Sequence, residues 1–354
     1  MHLEAIATLF LGGLAFGWGT RLGQMLLQQG ATANDLFKGK TSASLLFLGL
    51  YMALLMLALY VPQWHLLPLE WRISGMRVTW TLIRVILLGF CGITFAVSWQ
   101  TARLQIVAIA LLGVLGISSF SATEAYFLAP IYPELKDQLN PNGIFEQTSP
   151  SSCAPSALAT ILHRWGLKQT ESSIARLAGT SSLGTSMPQL VAALAAIDMA
   201  AIELSPTWEQ MQAINRPGVL ATWLYSEGRR DPHAVALVGL NDTIATLADP
   251  AFGQYFQVSR NQFERIWRKE YLPVFRPQDA TLTAAETADY LHRWGYLQQN
   301  TLGDRAVLEP AIRQFQKAMG IAETGIVTPQ TALMLTGSFL AGVPTLNPQI
   351  HKYP

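Results

Sequence analysis

The sequence predicts a membrane α-helical region of four transmembrane helices, then an α+β domain, then a small all-α domain of three helices. Three observations carry this. Only 13% of the 354 residues are charged, about half the share of a soluble chain. The deficit is uneven, since residues 1–121 hold only Glu4, Arg21, Asp35, Lys38, Lys40, Glu70, Arg72, Arg77, Arg84 and Arg103. Further on, a helical pattern around Cys153 gives way to short β-like runs, and from Leu282 the apolar residues return to helical spacing.

Four apolar stretches define the first region: Leu3–Leu27, interrupted by Arg21; Ala43–Val61, without a charge; Trp80–Trp99, with Arg84 near its start; and Leu104–Phe120. Each approaches the roughly 20 residues a helix needs to cross about 30 Å of hydrocarbon. Arg21 and Arg84 are expected to reach the headgroups. Only His2 and Glu4 precede the first apolar core, so it reads as a retained helix and not a cleaved signal. Gly13 with Gly17, and Gly19 with Gly23, are spaced to let another helix approach. Trp64, Trp71 and Trp80 are expected along the interface. Arg21, Lys38, Lys40 and Arg103 in the first and third loops outnumber Arg72 and Arg77 in the second. This places residues 122–354 on the periplasmic or outer side of a multi-pass cytoplasmic-membrane protein, with the lipid bilayer and other membrane proteins as partners. Net charge is +1 and no basic run interleaves with aromatics, which excludes nucleic acid.

A connector, 122–143, leads to the α+β domain at 144–276. Of the two cysteines, Cys91 falls in the third apolar helix, so Cys153 has no disulfide partner. A lone cysteine is ordinarily a small buried hydrophobe. Here Ser151 or Ser152 caps a helix with the stripe Leu158, Ile161, Leu162, Trp165, ending at Gly166. Cys153 therefore lies at a helix N-terminus, where backbone dipoles favour the nucleophilic thiolate. Downstream, Gly218–Tyr225, His233–Leu240 and Thr243–Ala248 read as strands. A turn at Asn241-Asp242 would bring His233, opening the second strand, to Asp249, closing the third. There is no His-Glu-x-x-His and no paired-Cys motif, and His163, His233 and His292 are far apart in sequence; neither metal nor cofactor is expected.

These residues resemble the double-glycine leader peptidases, the papain-like cysteine peptidases best known as the N-terminal domain of bacteriocin-exporting transporters. In that family a Gln lies six residues before the Cys, and the His precedes the Asp by sixteen. Gln147 and Cys153, and His233 and Asp249, keep both spacings, and Gly184–Leu190 fits the layout between them. The family's Gly after the Cys is replaced by Ala154, and no nucleotide-binding pattern follows. The resemblance implies a papain-like fold and acyl transfer. Cys153 would attack a peptide carbonyl, His233 would carry the proton, Asp249 would fix the imidazole, and Gln147 with the Cys153 N–H would bind the oxyanion.

The last domain, 280–340, carries Thr283–Trp294, a helix opened by Pro310, and a third begun by Thr328 and Pro329. Its second half, from Ala311 to Leu335, is similar to the small peptidoglycan-binding domains of wall hydrolases; Ile312, Phe315 and Leu333 read as packing. Residues 341–354 read as a flexible tail. The sequence thus predicts a membrane-anchored cysteine peptidase acting on a peptide or protein at the outer face and positioned at the wall, with peptidoglycan as a partner. Two alternatives stay open: an endopeptidase acting on peptidoglycan stem peptides, and a non-catalytic scaffold subunit.

Overall fold

The computed structural model describes residues 2–32, 49–50, 52–53, 56, 69–226, 229–298 and 304–346. The chain divides into two compact units, Met1–Ala129 and Pro130–Pro354.

In the first unit α1 (His2–Gln28) packs along α2 (Leu69–Thr101), which also meets α3 (Gln105–Phe127). The α1–α2 approach requires glycine. A Cβ on Gly19 would lie 2.1 Å from the Gly89 carbonyl oxygen, and one on Gly92 would lie 2.3 Å from that of Phe16. Gly23 is equally constrained, whereas Gly13 and Gly17 meet nothing within 4 Å, so only one of the two spaced pairs is a packing stripe. Arg84, expected at the headgroups, is buried and ion-paired with Glu124 of α3, and it hydrogen-bonds Ser121 at 3.3 Å. Pairing satisfies a guanidinium that an apolar helix face would otherwise strand. Among the described residues two stretches, Arg77–Thr101 and Gln105–Phe127, are long and apolar enough to cross a membrane. Four were expected: Leu3–Leu27 forms α1, and 43–61 lies almost wholly outside the described residues. Trp71 and Trp80 belong to α2, which no proline after Pro68 interrupts; Trp64 lies outside the described residues.

The second unit is organised by a six-stranded antiparallel sheet, ordered β3-β8-β4-β5-β6-β7, and a short hairpin of β1 (Gln138–Leu139) with β2 (Phe145–Glu146). The strands are β3 (Ala200–Ala201), β4 (Gly218–Ser226), β5 (Arg229–Leu240), β6 (Ile244–Asp249), β7 (Gln254–Ser259) and β8 (Trp267–Phe275). β5 starts four residues earlier than the apolar run suggests, since Arg229–Pro232 pair with Trp223–Ser226 at an exposed hairpin end. Alternation along each strand divides the core. Val219, Ala221, Ala234, Ala236, Val238 and Ala248 face α4 (Cys153–Arg164), α5 (Glu171–Ala178) and α6 (Met187–Ala195). Leu220, Val235, Leu237, Leu247, Tyr271 and Phe275 face α7 (Trp208–Ile214) and α8 (Arg260–Ile266).

That second core continues into α9 (Ala284–Arg293), α10 (Arg305–Ala318) and α11 (Pro329–Gly337), through Leu291, Phe315 and Leu333. α10 starts five residues before Pro310, capped by Asp304, whose side chain accepts the Ala306 N–H. The three-helix domain is docked, not tethered. Asn215, in the left-handed region at φ 51°, donates to the Gly337 carbonyl at 2.8 Å and accepts the Leu346 N–H at 3.0 Å. The buried Arg216 guanidinium donates to the Leu333 carbonyl and to Thr336 Oγ1. A Cβ on Gly337 would lie 1.8 Å from the Ala213 carbonyl oxygen. Residues 341–346, read as the start of a flexible tail, bury Val343, Thr345 and Leu346, and the Leu346 carbonyl accepts the Leu240 N–H at 2.8 Å. The tail therefore closes the apolar edge that the docked helices leave over β5.

Candidate active site

Cys153 is the first residue of α4, and Ser152 precedes it. Ser152 does not cap α4 through its side chain. Its hydroxyl donates to the Ser149 carbonyl at 2.8 Å and accepts the Ser149 N–H at 3.1 Å, which folds 149–152 into a closed turn under the cysteine. Small residues are frequent on the sheet face beneath α4, and the helix packs against β5, the strand that carries His233.

His233 and Asp249 are both buried, and Nε2 of the imidazole meets Oδ1 of the carboxylate at 2.8 Å. The Ala251 N–H donates to the same oxygen at 2.9 Å and holds the carboxylate in place. Cys153, at the start of α4, is near enough to the imidazole for its side chain to act on the ring's titration. With Nε2 committed to Asp249, the nitrogen left for the sulfur is Nδ1. Burial disfavours a charged imidazole, but the hydrogen bonds and charges of Asp249 and Cys153 outweigh it and push His233 up to about 9. A value raised that far favours the protonated ring at neutral pH.

Gln147 joins the same place through its backbone, whose N–H donates to the Pro250 carbonyl at 2.9 Å, one residue from Asp249. Its side-chain amide donates one N–H to the Ser149 carbonyl at 3.1 Å, and its Oε1 is buried with no partner. The second amide N–H is uncommitted and available to an anion. Ala154, where the family carries Gly, is buried under the sheet and leaves the Cys153 backbone amide in place. His163 stacks edge-on against Phe145, and His292 bonds the Leu297 carbonyl through Nδ1. The described residues hold no cluster of three or more His, Cys, Asp or Glu able to bind a metal.

The sequence reading missed how this loop is held. Thr148, next to Gln147, donates its N–H and its hydroxyl to the two oxygens of Glu171, both at 2.7 Å. Glu171 is completely buried. The one available signal was a carboxylate following Thr170 at a helix start, which reads as helix capping.

Comparison with known proteins places this arrangement. The model of the Peptidase C39 family matches residues 142–279, and that of a peptidoglycan binding domain matches residues 286–335. An uncharacterised protein of Methanothermobacter marburgensis is 32% identical over 150 residues, which is 41% of this chain and 97% of that protein. One from Methanothermobacter thermautotrophicus is 32% identical over 136 residues, 38% of this chain and 90% of that protein. Among solved structures, the peptidase domain of Streptococcus ComA, a bifunctional ABC transporter involved in quorum sensing, is 14% identical at a TM-score of 0.34, covering 38% of this chain and 98% of that one. A periplasmic domain of the EpsAB fusion protein of the Vibrio vulnificus type II secretion system is 18% identical at 0.32, covering 56% and 85%. The chain belongs to the Peptidase C39 family through residues 142–279: it is a cysteine peptidase, followed by a helical domain of the peptidoglycan-binding type.

Proposed function

We propose that Cys153, His233, Asp249 and Gln147 form the catalytic machinery of a peptidase that is anchored in the cytoplasmic membrane and cleaves a peptide or protein substrate at its outer face. The observation that carries this is the imidazole of His233 lying between Cys153 and the Asp249 carboxylate, 2.8 Å from Oδ1. In the reaction the Cys153 thiolate attacks the scissile carbonyl. The oxyanion takes hydrogen bonds from the Cys153 backbone N–H and the free Gln147 amide N–H. The His233 imidazolium then gives its proton to the leaving amine, and water releases the acyl group. Membrane anchoring is supported by the apolar helices Arg77–Thr101 and Gln105–Phe127, and wall positioning by the domain at 286–335.

Docking of the C-terminal helices on the peptidase sheet favours one second reading, cleavage of peptidoglycan stem peptides, because it fixes the distance between wall-binding domain and active site. Incubating the full chain with purified sacculi and, separately, with a peptide library tests both. Release of stem-peptide fragments selects the second reading and cleavage confined to the library selects the first. In either assay Cys153→Ala should lower turnover by about 10⁴-fold or more, and retained turnover contradicts the assignment.

A further inference from the structure

We propose that Glu171 is a positioning residue for oxyanion stabilisation: its buried carboxylate holds Thr148 and so aims the side chain of Gln147. This rests on the catalytic reading of Cys153 and Gln147 given above. A carboxylate with no exposed surface is disfavoured unless hydrogen bonds satisfy it. Glu171 has no ion-pair partner among the described residues; it takes both a backbone N–H and a hydroxyl from Thr148, at 2.7 Å each. Bonds of that length to a charged acceptor are among the stronger ones in proteins.

The loop carrying Gln147 is pinned on both sides. Toward Asp249, the Gln147 N–H bonds the Pro250 carbonyl; toward Cys153, the Ser149–Ser152 turn closes on itself. Between these anchors Thr148 is held by both oxygens of Glu171, and its hydroxyl also accepts the Lys136 N–H at 3.0 Å. A second clamp repeats the design one residue on. Asp137, at φ 53°, accepts both the N–H and the hydroxyl of Ser172 at 2.6 Å, so the first turn of α5 is fastened to the connector as well. The anchor is therefore stiff, and its effect falls on a donor that matters only when an oxyanion forms.

That selectivity gives a test needing no natural substrate. Acylation of Cys153 by 4-nitrophenyl acetate proceeds by attack of the thiolate on the ester carbonyl, through a tetrahedral oxyanion, with expulsion of 4-nitrophenolate. Alkylation by iodoacetamide displaces iodide from carbon and forms no oxyanion. Both rates are measured on the detergent-solubilised full chain, with Cys153→Ala as blank. Glu171→Gln and Glu171→Ala should lower the acylation rate about 10- to 100-fold while the alkylation rate and its pH profile stay within twofold of wild type. Thr148→Val, which keeps the backbone bond, should show a smaller loss in acylation alone. Equal loss of both rates in a folded variant, or no loss in either, overturns the proposal. If the Glu171 variants do not fold, Thr148→Val decides by the same criterion. A wild-type chain alkylated but not acylated at Cys153 sinks the oxyanion assignment of Gln147, and with it this role for Glu171; one not alkylated at all sinks the catalytic reading itself.

Discussion

The two faces of the six-stranded sheet are built to different standards. Toward α4 the sheet presents Val219, Ala221, Ala234, Ala236, Val238, Ala248, Leu272 and Val274; on the opposite face, Leu220, Val235, Leu237, Leu240, Ala245, Leu247, Tyr271 and Phe275. Small side chains let a helix backbone come near the strands, and a catalytic helix must do so for its first residue to reach an imidazole on the sheet. Large ones span the wider gap to helices that only need to pack. The proposed chemistry thus falls on the thin side of the sheet, and the C-terminal helices pack on the thick side.

The contrast is most severely tested by removing residues 282–354. Trp208, Tyr271 and Phe275 would lose their cover, so the truncated peptidase should aggregate or stay molten in a soluble-expression and near-ultraviolet dichroism assay; a folded, active truncate would show that the C-terminal domain is a mere appendage. Point changes sharpen it. Leu237→Ala on the thick face should lower stability by about 2–5 kcal/mol in denaturant titration while leaving activity per folded molecule unchanged. Arg216→Ala, which strips the buried Leu333 carbonyl and Thr336 hydroxyl of their donor, should lower stability by about 2–4 kcal/mol. Ala236→Leu on the thin face should do the reverse. It is expected to lower stability by about 1–3 kcal/mol but turnover by tenfold or more, because it lifts α4 and moves Cys153 off His233.

The smallest expected effect is one of pH. Partners raise His233 from its ordinary 6.5 to about 9, so its folded form binds a proton that the unfolded chain has already lost. The resulting stability is full below about pH 6.5 and disappears as pH rises through about 9, a change of a few kcal/mol at most. Melting midpoints should fall over that window in wild type and stay flatter in His233→Ala.

The meeting of His233 with Asp249 was legible in the sequence because it follows from the order of the strands. Cys153 follows Gln147 at the sixth position and Asp249 follows His233 at the sixteenth, and β4, β5 and β6 have clean apolar runs. β7 is short and largely exposed, with Tyr255 and Phe256 facing outward, so no apolar alternation toward a core marks it, and β8 was hidden by Arg268-Lys269-Glu270 and by Pro273. Docking of the last domain was illegible for another reason. Its anchors, Asn215 and Arg216 before Pro217 and Gly218, read as an ordinary turn, and only tertiary contact reveals them as buried hydrogen-bonding groups. Glu171 was missed likewise, since a carboxylate at a helix start already has a local explanation.

The central claim is that His233 makes Cys153 a nucleophile. Intact-mass analysis of the full chain after timed exposure to a thiol-directed epoxysuccinyl peptide tests it directly. The account predicts a single adduct, mapped to Cys153, whose rate of formation drops at least tenfold in His233→Ala. Adducts spread equally over Cys91 and Cys153, or an unchanged rate at Cys153 without the imidazole, would contradict it.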